Sequence, residues 1–268
     1  MHNIIEEYYD HDVATEWSRM DRHPLEFEIS KRHIEAHLGT KAKIADIGGG
    51  PGRYSLYFAG QGHDLTLIDL SSKNVEHARK MAKDRGLALS RAEKGSALEL
   101  SALEADSYDT VLCMGPLYHL QKETDRIKAI EECLQILKPE GILVIAFLTK
   151  MAQAITILER NPESLVAYEE VLKESISTGH IRHDSPIPFT EAFTIEPKDI
   201  KAFMGRFGLR MELLAGAEGI ACSHEGTISR LGEEHLKRWI DFSFRYSTDE
   251  SMLGMNKHIL YIGRKEPR

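Results

Sequence analysis

The feature that most constrains this chain is a glycine-rich turn between an apolar run and a helix-forming run. Residues 44–55 read IADIGGGPGRYS. The apolar residues before the turn are typical of a buried strand, and those after it are typical of a helix. Glycine permits positive φ and a close backbone approach to a ligand, while the helix that follows directs free N–H groups and its positive dipole end at that ligand. The turn therefore predicts a strand–turn–helix unit that binds something through its backbone.

Apolar and helical runs alternate on both sides of this turn. Strands are predicted at 43–47, 64–69, 87–91, 110–114 and 142–148, with helices at 24–38, 54–60, 73–85 and 122–137 between and before them. Two later strands are predicted at 209–214 and 258–263. Such alternation implies parallel strands joined by right-handed crossovers. We expect an α/β fold, a Rossmann-like, doubly wound and mostly parallel seven-stranded sheet with helices on both faces and a helical lid insertion.

The same pattern of strands and helices predicts four structural regions. We expect 1–40 to be an N-terminal helical segment that covers a cofactor site, and 41–149 to be the cofactor-binding core. Residues 150–190 depart from the alternation and are predicted to form a helical lid or substrate insertion, broken at Asn161-Pro162. Residues 191–268 complete the sheet, with a second insertion near 216–250. Ligands of such sheets bind outside the carboxyl ends of the strands.

Composition excludes several classes of partner. The chain has 268 residues and a formal net charge of −8, with Lys and Arg scattered, whereas nucleic-acid-binding proteins carry a basic face. The acidic N-terminus lacks the apolar core of a signal peptide, and the longest apolar stretch is too short to span a bilayer. The three cysteines have no paired spacing, which indicates a reducing compartment. We expect a cytoplasmic monomer or homodimer without nucleic-acid or membrane partners.

An acidic residue stands where a ribose would be bound. Asp69 ends the second predicted strand, seventeen residues after Gly52, and a carboxylate there accepts hydrogen bonds from both ribose hydroxyls. A dinucleotide site would have the spacing G-x-G-x-x-G, but Arg53 and Ser55 stand where its last glycine would fall. A phosphate-binding G-x-x-x-x-G-K-[ST] loop is absent from the sequence as well. A plain structural turn remains the alternative interpretation.

In these motifs the chain resembles the class I S-adenosylmethionine-dependent methyltransferases. The resemblance lies in residues 45–52 (ADIGGGPG) and 67–71 (LIDLS), and the order of elements matches from about 40 to 148. It implies S-adenosyl-L-methionine as cofactor and S-adenosyl-L-homocysteine as product. It also implies that glycines line the methionine and ribose, that Asp69 holds the ribose and that Leu70 packs on the adenine. The residues assigned here to the cofactor site are Asp46, Gly48, Gly50, Gly52, Asp69 and Leu70.

Two positions depart from the family pattern. After the third strand the family often has an Asp that contacts the adenine amino group, whereas this chain has Gly95-Ser96-Ala97. A neutral acceptor makes a weaker contact than a carboxylate, so adenine recognition is expected to use backbone groups at Ser96 and Ala97. In the turn before the fifth strand, residues 137–141 read LKPEG, with Glu140 where the family has glycine.

A second signature follows the fourth strand. Residues 114–120 read MGPLYHL, which resembles bacterial small-molecule methyltransferases with G-P-L-Y-H-L at this point. The resemblance implies that this loop, including Met114 and Gly115, borders the transferable methyl group. His119 titrates near neutrality and is the candidate general base, with a structural role in the loop as the alternative. Tyr118 is a candidate catalytic residue too, although packing or contact with the methionine side is the favoured interpretation.

The N-terminal segment 8–27 also resembles that subgroup. The resemblance implies that it folds over the cofactor, with Arg19 pairing with the methionine carboxylate and Tyr9 hydrogen-bonding to it. An ordinary solvent-facing segment is the alternative. No metal site is expected, because the His33/His37 pair lacks the H-E-x-x-H pattern and the His180/His183 loop lacks clear further ligands.

These observations predict an enzyme that moves a methyl group to a small-molecule acceptor by in-line displacement. Such a transfer needs an aligned nucleophile and no protein nucleophile. Two other classes stay open from the sequence. One is a nicotinamide-dependent oxidoreductase on a similar sheet, and the other is a cofactor-binding module that is non-catalytic or regulatory. The acceptor, and whether it presents oxygen, nitrogen, sulfur or carbon, is not determined by the fold or the donor.

Overall fold

A seven-stranded sheet organises the chain. The computed structural model describes residues 2–11, 13–187 and 190–267. Within those ranges the strands are β1 (Lys43–Ile47), β2 (Asp64–Asp69), β3 (Arg91–Lys94), β4 (Tyr108–Cys113), β5 (Leu137–Leu148), β6 (His180–Ile181), β7 (Ala192–Phe193), β8 (Leu209–Gly216) and β9 (His258–Lys265). The main sheet has the order β3-β2-β1-β4-β5-β9-β8, and β6 pairs with β7 separately.

The order of the strands positions the site. Strands β1 to β5 run parallel, and β9 is antiparallel to both of its neighbours, so the predicted fold class, a mostly parallel seven-stranded sheet, is confirmed. The chain winds from β1 outward through β2 to β3 and then returns to place β4 on the other side of β1. The carboxyl ends of β1 and β4 therefore flank the switch point, where a crevice opens for ligands.

Helices cover both faces of the sheet. They are α1 (His2–His11), α2 (Val13–Arg22), α3 (Pro24–Glu35), α4 (Arg53–Gly60), α5 (Ser72–Asp84), α6 (Pro116–His119), α7 (Glu123–Ile136), α8 (Ala152–Arg160), α9 (Leu165–Thr178), α10 (Pro197–Met204), α11 (Glu225–Ile228), α12 (Glu233–Tyr246) and α13 (Glu250–Leu253). None of these described helices is long and apolar enough to cross a membrane.

Alternation along the strands builds two cores, one on each face. In β5, Leu143 and Ile145 belong to a cluster with α7 and α10, whereas Ile142 and Val144 belong to a cluster with α3 and α4. Successive side chains of a strand point to opposite faces, so a strand with helices on both sides must be apolar at consecutive positions. This requirement explains why residues 142–148 form the most apolar run of the sequence.

Two strand boundaries differ from the sequence prediction. The third strand spans Arg91–Lys94, not 87–91, because the Leu87 N–H still bonds to Ala82 at the end of α5 and the chain reaches β2 only at Ser90. The fifth strand begins at Leu137, directly after α7, so the predicted turn 137–141 is incorporated into β5. Glu140 has φ 62 there, the left-handed conformation that favours the glycine usual in the family.

The two insertions pack at different places. The first contains α8 and α9, separated at Asn161-Pro162 as the sequence predicts, with a short 3-10 turn between them. Ala152 and Ile181 from this region pack behind Tyr118 and Leu148. The second contains α11, α12 and α13. Ala221, Ile228 and Ile240 in that region pack against Leu25 and Ile29 of α3, away from the sheet.

Candidate active site

The glycine turn between β1 and α4 forms the floor of a crevice at the carboxyl end of the sheet. Gly48 and Gly50 have φ values of 70 and 55, which non-glycine residues rarely adopt. A Cβ on Gly48 would lie 2.4 Å from Pro116 Cγ, so the missing side chain lets the loop after β4 close onto the turn. A Cβ on Gly50 would have no atom within 4 Å, because that position faces open space. The backbone at Gly50 is therefore exposed to a ligand.

Gly52 has a different role from the one that the sequence suggested. It is not among the residues that line the pocket. It is the N-cap of α4 with φ 90, and a Cβ there would lie 3.0 Å from Ala78 Cβ and 3.4 Å from Leu67 Cδ1. The third glycine therefore permits close packing of α4 against α5 and β2. In contrast to the sequence prediction, Gly52 does not line the pocket.

Asp69 lies at the carboxyl end of β2 and is held firmly. Its Oδ2 accepts a hydrogen bond from the Gly50 N–H at 2.8 Å, and its Oδ1 accepts from the Ser71 N–H at 2.9 Å and from Asn74 Nδ2 at 3.2 Å. Burial raises the pKa of this carboxyl, and the N–H donors oppose that rise. The side chain still lines the pocket. The carboxylate thus stands preoriented, with acceptor capacity facing the crevice.

Asp46 lies beneath the turn rather than at its rim. Its Oδ2 accepts from Ser55 Oγ at 2.7 Å, and burial together with nearby Asp69 raises its pKa to about 6. A Cβ on Gly49 would lie 2.6 Å from that same oxygen. Gly49 must therefore lack a side chain, because a Cβ would collide with the buried Asp46 carboxylate. The spacing of the glycines in the sequence does not reveal this constraint.

The loop after β4 brings an aromatic ring and an imidazole to the crevice. Met114 and Gly115 lead into α6, in which Tyr118 is buried and His119 is half-buried. His119 Nε2 lies 2.7 Å from Tyr9 Oη, and its Nδ1 lies 3.2 Å from the Glu191 carbonyl oxygen. Since a carbonyl only accepts, Nδ1 carries the proton, and Nε2 accepts from the tyrosine.

His119 is a weak base in this environment. Burial lowers the pKa of its imidazole to about 4, and Arg19 adds to the decrease while the Glu191 carbonyl opposes it. The side chain is consequently neutral at physiological pH, with a basic nitrogen in the pocket. The sequence indicated a group that titrates near neutrality, but the surroundings move its titration well into the acid range.

The N-terminal helices line the opposite wall. Tyr9 of α1 and Arg19 of α2 both face the pocket. Burial raises the pKa of Tyr9 far above its usual value, so its hydroxyl is protonated and donates to His119. Asp10 bonds to Ser71 Oγ, and Lys73 Nζ donates to the Asp10 carbonyl at 3.0 Å, which fastens α1 to the start of α5.

Arg19 is held by two carboxylates. Its Nη1 and Nη2 donate to Glu26 at 2.7 and 3.0 Å, and its Nε donates to Glu16 at 3.2 Å. These contacts use three of the five guanidinium N–H groups. Beyond Glu26, His258 Nδ1 lies 2.6 Å from the buried Glu218, so the charge of Arg19 is embedded in a chain of ion pairs. Arg19 is thus fixed in place before any ligand arrives.

The pocket collects most of the residues singled out in the sequence. Except for Gly52, the lining includes every one of them: Tyr9, Arg19, Asp46, Gly48, Gly50, Asp69, Leu70, Ser96, Ala97, Met114, Gly115, Tyr118 and His119. The Ser96 hydroxyl accepts from the Leu98 N–H at 3.2 Å, so it is engaged within its own turn. Adenine recognition by backbone groups there stays a prediction.

The structure adds residues that the sequence did not single out. Among them are Glu16, Glu26, Gln121, Asp125 and Glu191, which come from four separate stretches of chain. No motif marks them, because their convergence depends on the fold. Among the residues described, none between 150 and 187 and none between 216 and 250 lines this pocket. The lid role of those insertions stays a prediction.

Comparison with known proteins agrees with this geometry. Residues 45–145 match the family model of the methyltransferase domain. The ubiquinone biosynthesis O-methyltransferase of Actinobacillus pleuropneumoniae is 27% identical over 153 residues, which is 56% of this chain and 61% of that protein. The match thus spans less than two thirds of that relative's length.

Solved structures give the fold class. A S-adenosylmethionine-dependent methyltransferase from Methanosarcina mazei superposes with a TM-score of 0.58 at 18% identity, over 88% of this chain and 98% of that one. A Thermotoga maritima protein described as a possible histamine N-methyltransferase superposes with a TM-score of 0.55 at 17% identity, over 99% and 100%. These likenesses show that the chain shares the α/β, Rossmann-like fold of methyltransferase structures.

Proposed function

We propose that this protein is a S-adenosylmethionine-dependent methyltransferase that acts on a small-molecule acceptor. The observation that carries the proposal is the combination of an open Gly50 backbone and a preoriented Asp69 at the switch point of the sheet. A side chain at Gly50 would project into space that faces the pocket, so the turn is shaped as a cradle. A cradle beside a ribose-binding carboxylate fits an adenosyl cofactor.

The cofactor's parts are assigned along the lining. Asp69 would hold the ribose hydroxyls, Leu70 would pack on the adenine, and backbone groups of Ser96 and Ala97 would contact the adenine edge. Gly48 and Gly50 would border the methionine. Arg19 keeps two N–H groups beyond those that bond to Glu16 and Glu26, and these would meet the methionine carboxylate.

Methyl transfer by in-line displacement requires little from the protein beyond the alignment of the acceptor with the methyl group. When bound, the cofactor supplies an electrophilic methyl group on a sulfonium. Tyr118 and the 114–119 loop would shape the wall next to it, and His119 Nε2 accepts a hydrogen bond from Tyr9 at the same wall. With a pKa near 4, and with its ring nitrogens bonded to Tyr9 and to the Glu191 carbonyl, His119 is poorly suited to remove a firmly held proton. We therefore expect an acceptor whose nucleophile is already reactive near neutral pH.

The relatives suggest where to search for the acceptor. The Actinobacillus pleuropneumoniae relative is named as an O-methyltransferase of ubiquinone biosynthesis. An acidic hydroxyl, ionised near neutrality, meets the demand for a nucleophile that needs no strong base. The N-terminal helices, which line the pocket, would enclose such an acceptor and exclude water.

Calorimetry with S-adenosylhomocysteine tests the cofactor proposal. Asp69→Ala should weaken binding about a hundredfold or more, because hydrogen bonds to a charged group contribute about 1.5–3 kcal/mol each. Asp64→Ala is the matched control, since Asp64 lies at the opposite, exposed end of the same strand. The proposal is refuted if the parent protein binds neither S-adenosylmethionine nor its product. If the protein binds the cofactor but methylates none of a panel of acceptors, a non-catalytic module is favoured.

A further inference from the structure

One helix of the second insertion presents an apolar stripe outward. Trp239, Phe242 and Tyr246 of α12 are 41%, 44% and 43% exposed, although the opposite face of the helix packs Ile240 into the core with α3. The three rings touch in sequence, with centroid separations of 6.1 and 4.9 Å. Soluble monomers rarely expose a contiguous apolar patch, and Trp, Tyr and Phe are the residues enriched at protein interfaces.

Charged residues form a second stripe directly beside the aromatic one. At 100° per residue, the aromatic residues and the exposed His235 occupy one sector of about 60°, and the adjoining sector holds Glu234, Arg238, Asp241 and Arg245. Their signs alternate along the helix. Glu234 and Arg245 lie equally far from the helix midpoint, and so do Arg238 and Asp241. When a second copy of the helix lies alongside in the opposite direction, each acid of one copy therefore lies opposite a base of the other.

We propose that the outer face of α12 pairs with the same face of a second copy of this chain, antiparallel, around a two-fold axis. Such an axis brings the same flank of both helices together. The aromatic stripes then bury each other, and Glu234 of each copy faces Arg245 of the other. Within one chain, Arg238 pairs with Glu234 at 2.9 Å and Asp241 pairs with Arg32 at 2.7 Å, so Arg245 is the base that adds a new partner for Glu234.

The charge pattern favours a second copy over a lipid surface. A helix that lies on a membrane carries an excess of Lys and Arg beside its apolar face. This flank instead holds two acids and two bases, in a chain whose net charge is −8. Ile220 and Leu231, which precede α12 in the chain, are exposed apolar residues as well.

Sedimentation velocity of the full chain, from nanomolar to high micromolar concentration, tests the pairing. The parent should dimerise, and Trp239→Ser/Phe242→Ser should be monomeric over the same range. Glu234→Arg and Arg245→Glu should each weaken dimerisation about tenfold or more, because each creates two repulsive contacts across the axis. The combined variant Glu234→Arg/Arg245→Glu restores opposite charges and should recover parental dimerisation. High salt should reduce the penalty of the single variants.

A control separates the interface from general charge effects. Glu170→Arg on α9 makes the same charge change at a strongly exposed position and should leave dimerisation unaltered. Circular dichroism and thermal melting establish that the variants fold, as expected for exposed positions. The proposal is overturned if the parent is monomeric throughout, if the serine variant still dimerises, or if the charge swap fails to rescue. It is equally overturned if the parent stays monomeric and binds phosphatidylcholine vesicles.

Discussion

Replacing Gly48 with alanine tests the closest contact in the site, that between the glycine turn and the loop after β4. The change introduces two costs. At φ 70 a left-handed non-glycine residue costs about 1–2 kcal/mol, of which roughly 0.4–1 kcal/mol is recovered because alanine restricts the unfolded chain. The new Cβ would also lie 2.4 and 2.6 Å from Pro116 Cγ and Cδ, and overpacking of this kind costs about 1–3 kcal/mol.

Gly50→Ala is the matched comparison. Its φ of 55 carries a similar backbone cost, but its Cβ would meet nothing within 4 Å. The difference between the two variants therefore isolates the contact with Pro116, and we expect Gly48→Ala to be less stable by about 1–3 kcal/mol. At roughly 2–4 °C per kcal/mol for a protein of this size, its melting temperature should be about 2–12 °C below that of Gly50→Ala.

A double-mutant cycle identifies the cause. Pro116→Ala removes the ring atoms that the new methyl would strike, so Gly48→Ala/Pro116→Ala should be more stable than the sum of the single changes predicts. Urea unfolding monitored by circular dichroism gives the four free energies. Equal stability of Gly48→Ala and Gly50→Ala, or strict additivity in the cycle, would show that the loop does not close onto the turn. In calorimetry, Gly50→Ala should lose affinity for S-adenosylhomocysteine despite its smaller effect on stability.

Three further changes probe conformation and electrostatics. Glu140→Gly relieves the left-handed backbone at φ 62 and should stabilise the protein by about 0.5–1 kcal/mol in urea unfolding, whereas destabilisation would contradict a strain there. The pKa of His119 is about 4 in the folded protein, below that of a histidine in the unfolded chain. Between pH 6.5 and 4 the unfolded chain therefore binds a proton at this residue that the folded chain does not. About 3 kcal/mol of stability, present above pH 6.5, should be lost as the pH falls toward 4. His119→Gln should lack this loss when unfolding is compared at both pH values, and an unchanged pH slope would disprove the depressed pKa. Ser55→Ala leaves a buried oxygen of Asp46 without its donor and should cost about 1–3 kcal/mol, so a change below thermal-melting error would exclude that hydrogen bond.

The alternation of apolar and helical runs was sufficient to predict the fold. Strands β1, β2, β4 and β5 carry strong local signals because each is buried on both faces and must be apolar at consecutive positions. The weakly apolar edge strand β3 was displaced by three to four residues in the prediction. Its position depends on where the chain leaving α5 meets β2, which is a tertiary contact and has no local signature.

Some residues of the candidate site can be predicted from local sequence, and others are brought there only by the fold. Asp69 and the glycine turn follow from local chemistry, because a strand end and a helix start are both visible in the sequence. Glu16, Glu26 and Glu191 reach the pocket only through the folding of α2, α3 and the segment after the first insertion, so no spacing rule could identify them. The weak basicity of His119 belongs to the same category, since burial sets it.

The sequence by itself determined a parallel sheet, a glycine turn at the end of its first strand and an acid at the end of its second. Those features depend on residues that are neighbours along the chain. Only the tertiary structure decided that Gly48 admits Pro116, that Gly50 faces the pocket and that Gly52 packs against Ala78. The three glycines look equivalent in the sequence because the atoms that a side chain would strike belong to elements distant from the turn.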